Sequence, residues 1–366
     1  MERAAFCGNQ QRRLTQPKWK TTVFLTHQKI KKFLLKLVQK NGKLIQYKEL
    51  GEKKGILMKI GIVGAGAIGL FYAYQLSLNF PVTLYVKREE QLLELQQKGI
   101  KLYGNEQFTG EQTVRVKQLH LNDKLEEEVI ILAVKQYALK DLMTALKNCR
   151  SDQTVLFLQN GMGHLKLLNL ISTQRILLGV VEHGVRKIDD TSVQWTGKGK
   201  TKIAEYEAGN SHSPFLEAWN RSLSASFPLE ICLSYEKMLK EKLVVNAIIN
   251  PFTSIYRVKN GELLSNPFFY QAMEALYEEL SFLIPKESKE DMWSNIVSIC
   301  RNTAGNWSSM QRDIEYGRET EVEAILGYIL FLAREQGEKT PLTEFIYTIV
   351  KGLEVKSIES FKDAKR

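Results

Sequence analysis

Lys242, Asn246 and Asn250 recur every four residues in a run whose other members are Leu, Val, Val, Ala, Ile and Ile. On a helix that spacing aligns the three in one polar stripe. A cation and two carboxamides on an apolar helix are costly without partners, so the stripe either faces water or lines a site. A lysine withdrawn from water has a lowered pKa and can serve as a general acid near neutral pH. Lys237 and Lys240, interleaved with Glu236 and Glu241, read instead as a solvated segment. A second group runs from Asn306 through Ser308, Ser309 and Arg312 to Asp313, followed by Glu319, Glu321 and Glu323. The serines can donate to a carboxylate and Glu321 can accept from a hydroxyl. On spacing alone those three acids read equally well as charges favouring a helix N-terminus.

A third group is built for phosphate. Lys59-Ile60-Gly61-Ile62-Val63 is a short apolar run of the buried-strand type, and it leads directly into Gly64-Ala65-Gly66-Ala67-Ile68-Gly69. Gly64 permits a tight turn, Gly66 lets backbone approach a pyrophosphate, and Gly69 lets helix and strand pack closely. The N–H groups and dipole of the following helix, expected to be amphipathic and to end near Leu78, complete an anion site. A strand–loop–helix context makes this glycine pattern a dinucleotide site. The next strand, Val82–Val86, ends at Lys87-Arg88, where an NAD site would carry an acid. Two cations there favour a 2′-phosphate, hence NADP. The competing reading is a charge run that continues into Glu89 and Glu90 and opens the next helix.

The elements that must position these groups follow in β/α alternation. Strands are expected at Val129–Val134, Thr154–Leu158 and Ile176–Val181, with helices at Ala138–Leu146 and His164–Leu170 between them. The pattern is that of a doubly wound, mainly parallel sheet, and ligands sit at the carboxyl ends of its strands. Lys135, Gln159-Asn160-Gly161 and Glu182-His183-Gly184 all fall at such ends. His183 has no identifiable Ser or Asp partner and reads as a hydrogen-bonded structural residue. From about Leu233 the pattern is helical throughout. Tyr235–Asn250 reads as a helix stopped by Pro251. The expected division is a basic extension at 1–57, a nucleotide-binding Rossmann domain at 58–232 and an all-α substrate domain at 233–366.

Composition narrows the function classes. The chain has 366 residues, 44% hydrophobic and 25% charged, an ordinary soluble balance. No apolar run is long enough to span a bilayer, so no membrane role is expected. Four cysteines, Cys7, Cys149, Cys232 and Cys300, stand far apart; they form no zinc motif or disulfide framework, expect no metal, and suit the cytoplasm. The net charge of +10 is uneven: residues 1–57 carry 14 Lys/Arg against 3 Asp/Glu, and residues 58–366 carry 37 against 38. The extension is read as poorly packed, as a targeting presequence, or as lying before the true start at Met58. Its aromatic residues are not interleaved as nucleic-acid stacking requires, so no nucleic-acid partner is expected.

From Met58 to about Ile358 the chain resembles the ketopantoate reductase family. The matching pieces are KIGIVGAGAIG at 59–69, VKQ at 134–136, QNGMG at 159–163, KLVVNAIINPFTSI at 242–255, NGEL at 260–263, SSMQRDI at 308–314 and TEVEAILG at 320–327, in the family's order. The resemblance implies NADPH-dependent reduction of ketopantoate in pantothenate and coenzyme A synthesis. It implies Lys242 as general acid and Glu321 as second catalytic carboxylate. It further implies Asn246, Asn250, Asn260 and Ser309 as substrate contacts, together with Asn160. Asn160 and Lys135 match positions near the nicotinamide. Lys87, with Arg88 beside it, falls where the family usually has an arginine for the 2′-phosphate. A monomer or homodimer is expected. The rival readings are a reductase of another branched 2-keto acid and a non-catalytic NADP-binding sensor.

Overall fold

A computed structural model describes residues 58–104, 107–120, 123–173, 175–207 and 213–363; the basic extension lies outside the described residues. The first element, β1 (Ile60–Val63), is wholly buried, as its unbroken aliphatic sequence requires. It is followed by α1 (Ala67–Ser77), β2 (Val82–Val86), α2 (Glu89–Lys98), β3 (Ile100–Gly104), β4 (Gln107–Gln112), β5 (Arg115–Gln118) and β6 (Val129–Leu132). Then come α3 (Leu139–Lys147), β7 (Thr154–Phe157), β8 (Arg175–Val181), β9 (Gly184–Lys187), β10 (Ser192–Gly197), β11 (Thr201–Glu205), α4 (Pro214–Leu223) and β12 (Leu229–Ile231). Helices complete the chain: α5 (Tyr235–Tyr256), α6 (Pro267–Glu279), α7 (Lys289–Asn302), α8 (Ser309–Glu315), α9 (Tyr328–Gln336) and α10 (Pro341–Asp363).

Eight strands form one sheet in the order β12-β11-β8-β7-β6-β1-β2-β5. Its neighbours are parallel except at β11–β8. The reversal of strand order beside β1 is the switch point at which such sheets take ligands. Register fixes what gathers there. Val63 pairs with Leu132, Leu132 with Phe157 and Phe157 with Leu178, so the loops beginning at Gly64, Ala133 and Leu158 leave the sheet side by side.

A second sheet, β4-β3-β10-β9, is absent from the sequence reading. Its strand β4 (QFTGEQ) is mostly exposed and shows no apolar alternation. This sheet changes the character of α1, expected to be amphipathic. Every residue from Gly69 to Leu76 is buried, because α1 contacts β1 and β2 on one side and β3, β9 and β10 on the other. A helix enclosed on all sides has no polar face to show.

The helical half is organised around α5, which packs against β8, β11, α6, α7, α8 and α10. One apolar cluster joins the underside of the large sheet (Ile130, Leu132, Phe157) to the buried side chains of α5 (Val244, Ile248, Phe252). The expected stop at Pro251 does not occur, for α5 runs on to Tyr256 and ends at Arg257, whose φ of 55° is left-handed. Proline removes one N–H from the ladder, but residues 243 to 254 are all buried, and that packing outweighs one lost bond. The hydroxyls that follow add bonds of their own to the helix backbone: Thr253 Oγ1 donates to the Ile249 oxygen at 2.8 Å and Ser254 Oγ to the Asn250 oxygen at 2.7 Å.

Candidate active site

The glycine loop has the shape its residues predict. Gly64 has φ +104°, and a Cβ there would lie 2.7 Å from Val134, so both backbone and space select glycine. A Cβ on Gly69 would collide with the Gly64 carbonyl, whereas one on Gly66 would meet nothing within 4 Å. Open space beside Gly66 is what an approaching pyrophosphate needs. Gly66 is also the N-cap of α1, with no side chain capping the helix and no acid in its first turn. Its first N–H groups and positive dipole end are thereby left to an anion. Gly64, Ala65, Gly66, Ala67, Ile68 and Gly69 therefore fit a dinucleotide diphosphate. Gln91, unremarked in the sequence, holds the loop: its amide donates to the Ala65 oxygen and to the Asp190 oxygen, both at 2.9 Å.

The two cations after β2 are unequal. Lys87 is almost fully solvated and lies 3.6 Å from Asp141, a pairing weak enough to exchange readily. Arg88 donates to Asp190 Oδ1 at 2.5 Å, and the same oxygen accepts from Lys187 at 2.7 Å. Lys187 is a third cation at this place that spacing did not reveal, because β9 reaches it only through the second sheet.

At the neighbouring strand ends the sheet half meets the helical half. Asn160, just past β7, donates from Nδ2 to Glu321 Oε2 at 2.9 Å and accepts from Asn246 Nδ2 at 3.4 Å. Lys135, just past β6, donates to Asp313 Oδ2 at 2.5 Å and to the Glu319 carbonyl at 2.9 Å. Gly161 has φ +77°, and a Cβ on it would lie 2.1 Å from the Ala324 carbonyl oxygen. Ala324 belongs to a π-helical turn, Glu323–Gly327, a local geometry common at functional sites. Asp313 stood in a quoted motif with no role assigned; its link to Lys135 spans 178 residues, beyond any local pattern.

Lys242 sits on the second turn of α5, half-buried, with Asn246 and Asn250 buried on the same stripe. Among the described residues its ammonium has no hydrogen-bond or ion-pair partner. Burial holds its pKa below the usual lysine range; Glu182 and Glu321 oppose that shift, and Lys202 reinforces it. Glu182 and Lys202 pair with each other at 2.9 Å. For Glu321, burial raises the carboxyl pKa, while the Asn160 bond and Lys135 pull it down. Lys242 and Glu321 thus influence each other electrostatically near the strand end where Asn160 holds the carboxylate.

The remaining expected residues are placed differently. Asn250 is buried, and its backbone oxygen, not its amide, carries its recorded bonds. Asn260 donates to Thr303 Oγ1 at 2.8 Å, with its own oxygen buried and without a partner among the described residues. Ser309 is exposed at the start of α8, and Ser308 is the structural member of the pair: it caps α8, and its hydroxyl lies 2.7 Å from that of Thr253. His183 lies among Phe71, Trp195 and Phe227. Its Nδ1 accepts from the Gly199 N–H at 3.2 Å, and burial lowers its pKa to about 4, as expected of a structural histidine. A surface hollow of about 510 Å³ beside Tyr85, Leu92 and Lys117 contains none of these residues.

A glycine turn at the switch point of a mainly parallel sheet, joined to an all-helical half, defines a dinucleotide-binding class of protein. Residues 60–208 match the family model described as Ketopantoate reductase PanE/ApbA, and residues 235–354 match Ketopantoate reductase PanE/ApbA C terminal. A 2-dehydropantoate 2-reductase of Listeria monocytogenes is 36% identical over 304 residues, covering 82% of this chain and 98% of that protein. The one from Bacillus subtilis is also 36% identical, over 299 residues, covering 81% and 98%. The crystal structure of a probable 2-dehydropantoate 2-reductase from Bacillus subtilis superposes with a TM-score of 0.69 at 33% identity, covering 81% of this chain and all of the other. The chain belongs to the ketopantoate reductase family.

Proposed function

We infer that the chain is a 2-dehydropantoate 2-reductase, reducing ketopantoate to pantoate with NADPH in pantothenate and coenzyme A synthesis. The observation that carries this is a Lys242 ammonium with no partner among the described residues, coupled electrostatically to the Glu321 that Asn160 holds. Residues 58–232 would hold the nucleotide and 233–366 the substrate, a small molecule, as in a cytoplasmic biosynthetic enzyme.

When bound, the nicotinamide supplies hydride to the keto carbon of the substrate. Protonated Lys242 steadies the negative charge that develops on the keto oxygen and transfers its Nζ proton to it. A depressed pKa favours that release. Glu321, oriented by Asn160, accepts from a substrate hydroxyl and fixes the substrate relative to Lys242. Asn246, Asn250, Asn260 and Ser309 hold the substrate carboxylate and hydroxyl; for Asn260 and Ser309 this requires side-chain turns from the positions described above. Lys135 keeps the two halves together next to the nicotinamide position. Lys87, only loosely paired with Asp141, can turn to a 2′-phosphate, and Arg88 can share its charge between that group and Asp190.

The test is consumption of NADPH with ketopantoate and with a panel of other branched 2-keto acids, repeated with NADH. Ketopantoate with NADPH is expected to give the highest kcat/KM. Lys87→Ala should raise the KM for NADPH by roughly tenfold and leave that for NADH unchanged, the scale of one lost charge-assisted contact. Tight NADPH binding without turnover of any keto acid would make the protein a sensor and end this reading.

A further inference from the structure

Thr320, the residue before Glu321, is gripped by a carboxylate from the last helix. Its backbone N–H and its hydroxyl both donate to Glu354 Oε2, each at 2.7 Å. Its hydroxyl oxygen also accepts from the Val322 N–H at 3.2 Å, so one side chain ties together the backbone on both sides of Glu321. The other Glu354 oxygen accepts from Lys351 Nζ at 2.5 Å.

Glu354 lies on the buried face of α10. The buried face of that helix is Thr343, Ile346, Val350 and Glu354, a stripe at helical spacing in which Glu354 is the one charged member. A carboxylate only 3% exposed is expensive unless fully bonded, and its bonds go to Thr320 and to the lysine one turn back. Lys135 in turn holds the Glu319 carbonyl, at 2.9 Å. The two residues before Glu321 are thus fixed from different parts of the fold, one by the sheet half and one by α10.

We propose that Glu354 is a positioning residue for Glu321, its grip on Thr320 setting where the Glu321 carboxylate meets Asn160. This rests on the reading of Glu321 as a substrate-site carboxylate. Glu354 bonds neither Asn160 nor Lys242 and acts only through the chain at Thr320.

A double-mutant cycle tests it on the full-length protein. Glu354→Gln is expected to lower kcat with ketopantoate about tenfold while the Kd for NADPH, read by fluorescence titration, stays unchanged; misplacing a fixed group by a fraction of an ångström has effects of this order. In a Glu321→Gln background the same change should cost less than about twofold, because groups acting as a unit are not additive. Equal losses in both backgrounds would reduce Glu354 to a structural role and overturn the proposal. If Glu354→Gln fails to fold, Thr320→Val removes the hydroxyl from the other end of the bond and carries the same cycle, with Thr320→Ser expected to restore activity. A Glu321→Gln enzyme with undiminished turnover would overturn the site reading and the proposal together, whereas additivity overturns the proposal alone.

Discussion

The amide of Asn160 and the carboxylate of Glu321, 161 residues apart, meet at 2.9 Å where the sheet half touches the helical half. One partner sits at a strand end beside the glycine turn and the other precedes a π-helical turn. Because Asn160 also accepts from Asn246, a single carboxamide joins the strand edge, α5 and the Glu321 segment. Its two ends do different work: the N–H₂ fixes the acid and the oxygen fixes the polar stripe of α5.

Replacing Asn160 by Ala is expected to move the acid limb of the pH–rate profile. Burial raises the Glu321 pKa and the Asn160 bond lowers it, so losing the bond raises it further. A step that needs Glu321 ionised fails as pH falls through that pKa. In the variant, kcat/KM should begin to fall at a higher pH than in the wild type, with kcat itself down by roughly ten- to a hundredfold. An acid limb that stays in place would separate Asn160 from the titration of Glu321.

For Lys242 the sign is reversed. The proton donor must be charged, so activity disappears as pH rises through its pKa, and burial places that limb below the ordinary lysine range. Lys242→Ala should lower kcat by roughly 10²- to 10⁴-fold, the usual share of a general acid, and abolish the basic limb. Binding of NADPH, measured by titration, should not change. A variant that retains both its turnover and its basic limb would remove Lys242 from the chemistry.

These residues were legible to different degrees, for physical reasons. The Gly64–Gly69 loop and the Lys242–Asn246–Asn250 stripe are local patterns, so spacing alone disclosed them. Partners distant in the chain were not: Lys135 with Asp313, and Glu354 with Thr320, join segments no periodicity relates. Glu354 in particular looks like half of an i,i+3 surface pair with Lys351 until the backbone of Thr320 is placed against it. Periodicity also names a buried face without naming what covers it. Hence α1 was expected to have a wet side, which the unforeseen second sheet encloses, and α5 was expected to end at a proline that its packing overrides.

His164 provides a stability prediction independent of catalysis. It is 1% exposed and stacked on Phe157, its Nδ1 has no partner among the described residues, and burial lowers its pKa to about 4. The unfolded chain takes up a proton near pH 6.5 and the folded one does not, so folding loses stability as pH drops from about 6.5 towards 4. His183, also lowered to about 4, adds to the same window. His164→Phe removes one of the two titrations, and its Tm should fall less steeply across that range. Parallel Tm curves for variant and wild type would show that His164 does not contribute.

Gly161→Ala combines two penalties at the junction of the halves. The residue has φ +77°, a conformation that costs an L residue of order 1 kcal/mol or more. Its new methyl would also point at the Ala324 carbonyl, 2.1 Å from the ideal Cβ position, far inside contact distance. The far side is backbone in a π-helical turn and cannot swing away as a side chain would, so the strain must be relieved by separating Asn160 from Glu321 next door. Two outcomes are therefore expected together: a Tm lowered by several degrees, as a loss of 1–3 kcal/mol implies, and a kcat reduced at temperatures where the variant is fully folded. A variant with lowered Tm but unaltered kcat would mean that the close approach at Gly161 supports the fold without setting the geometry of the site.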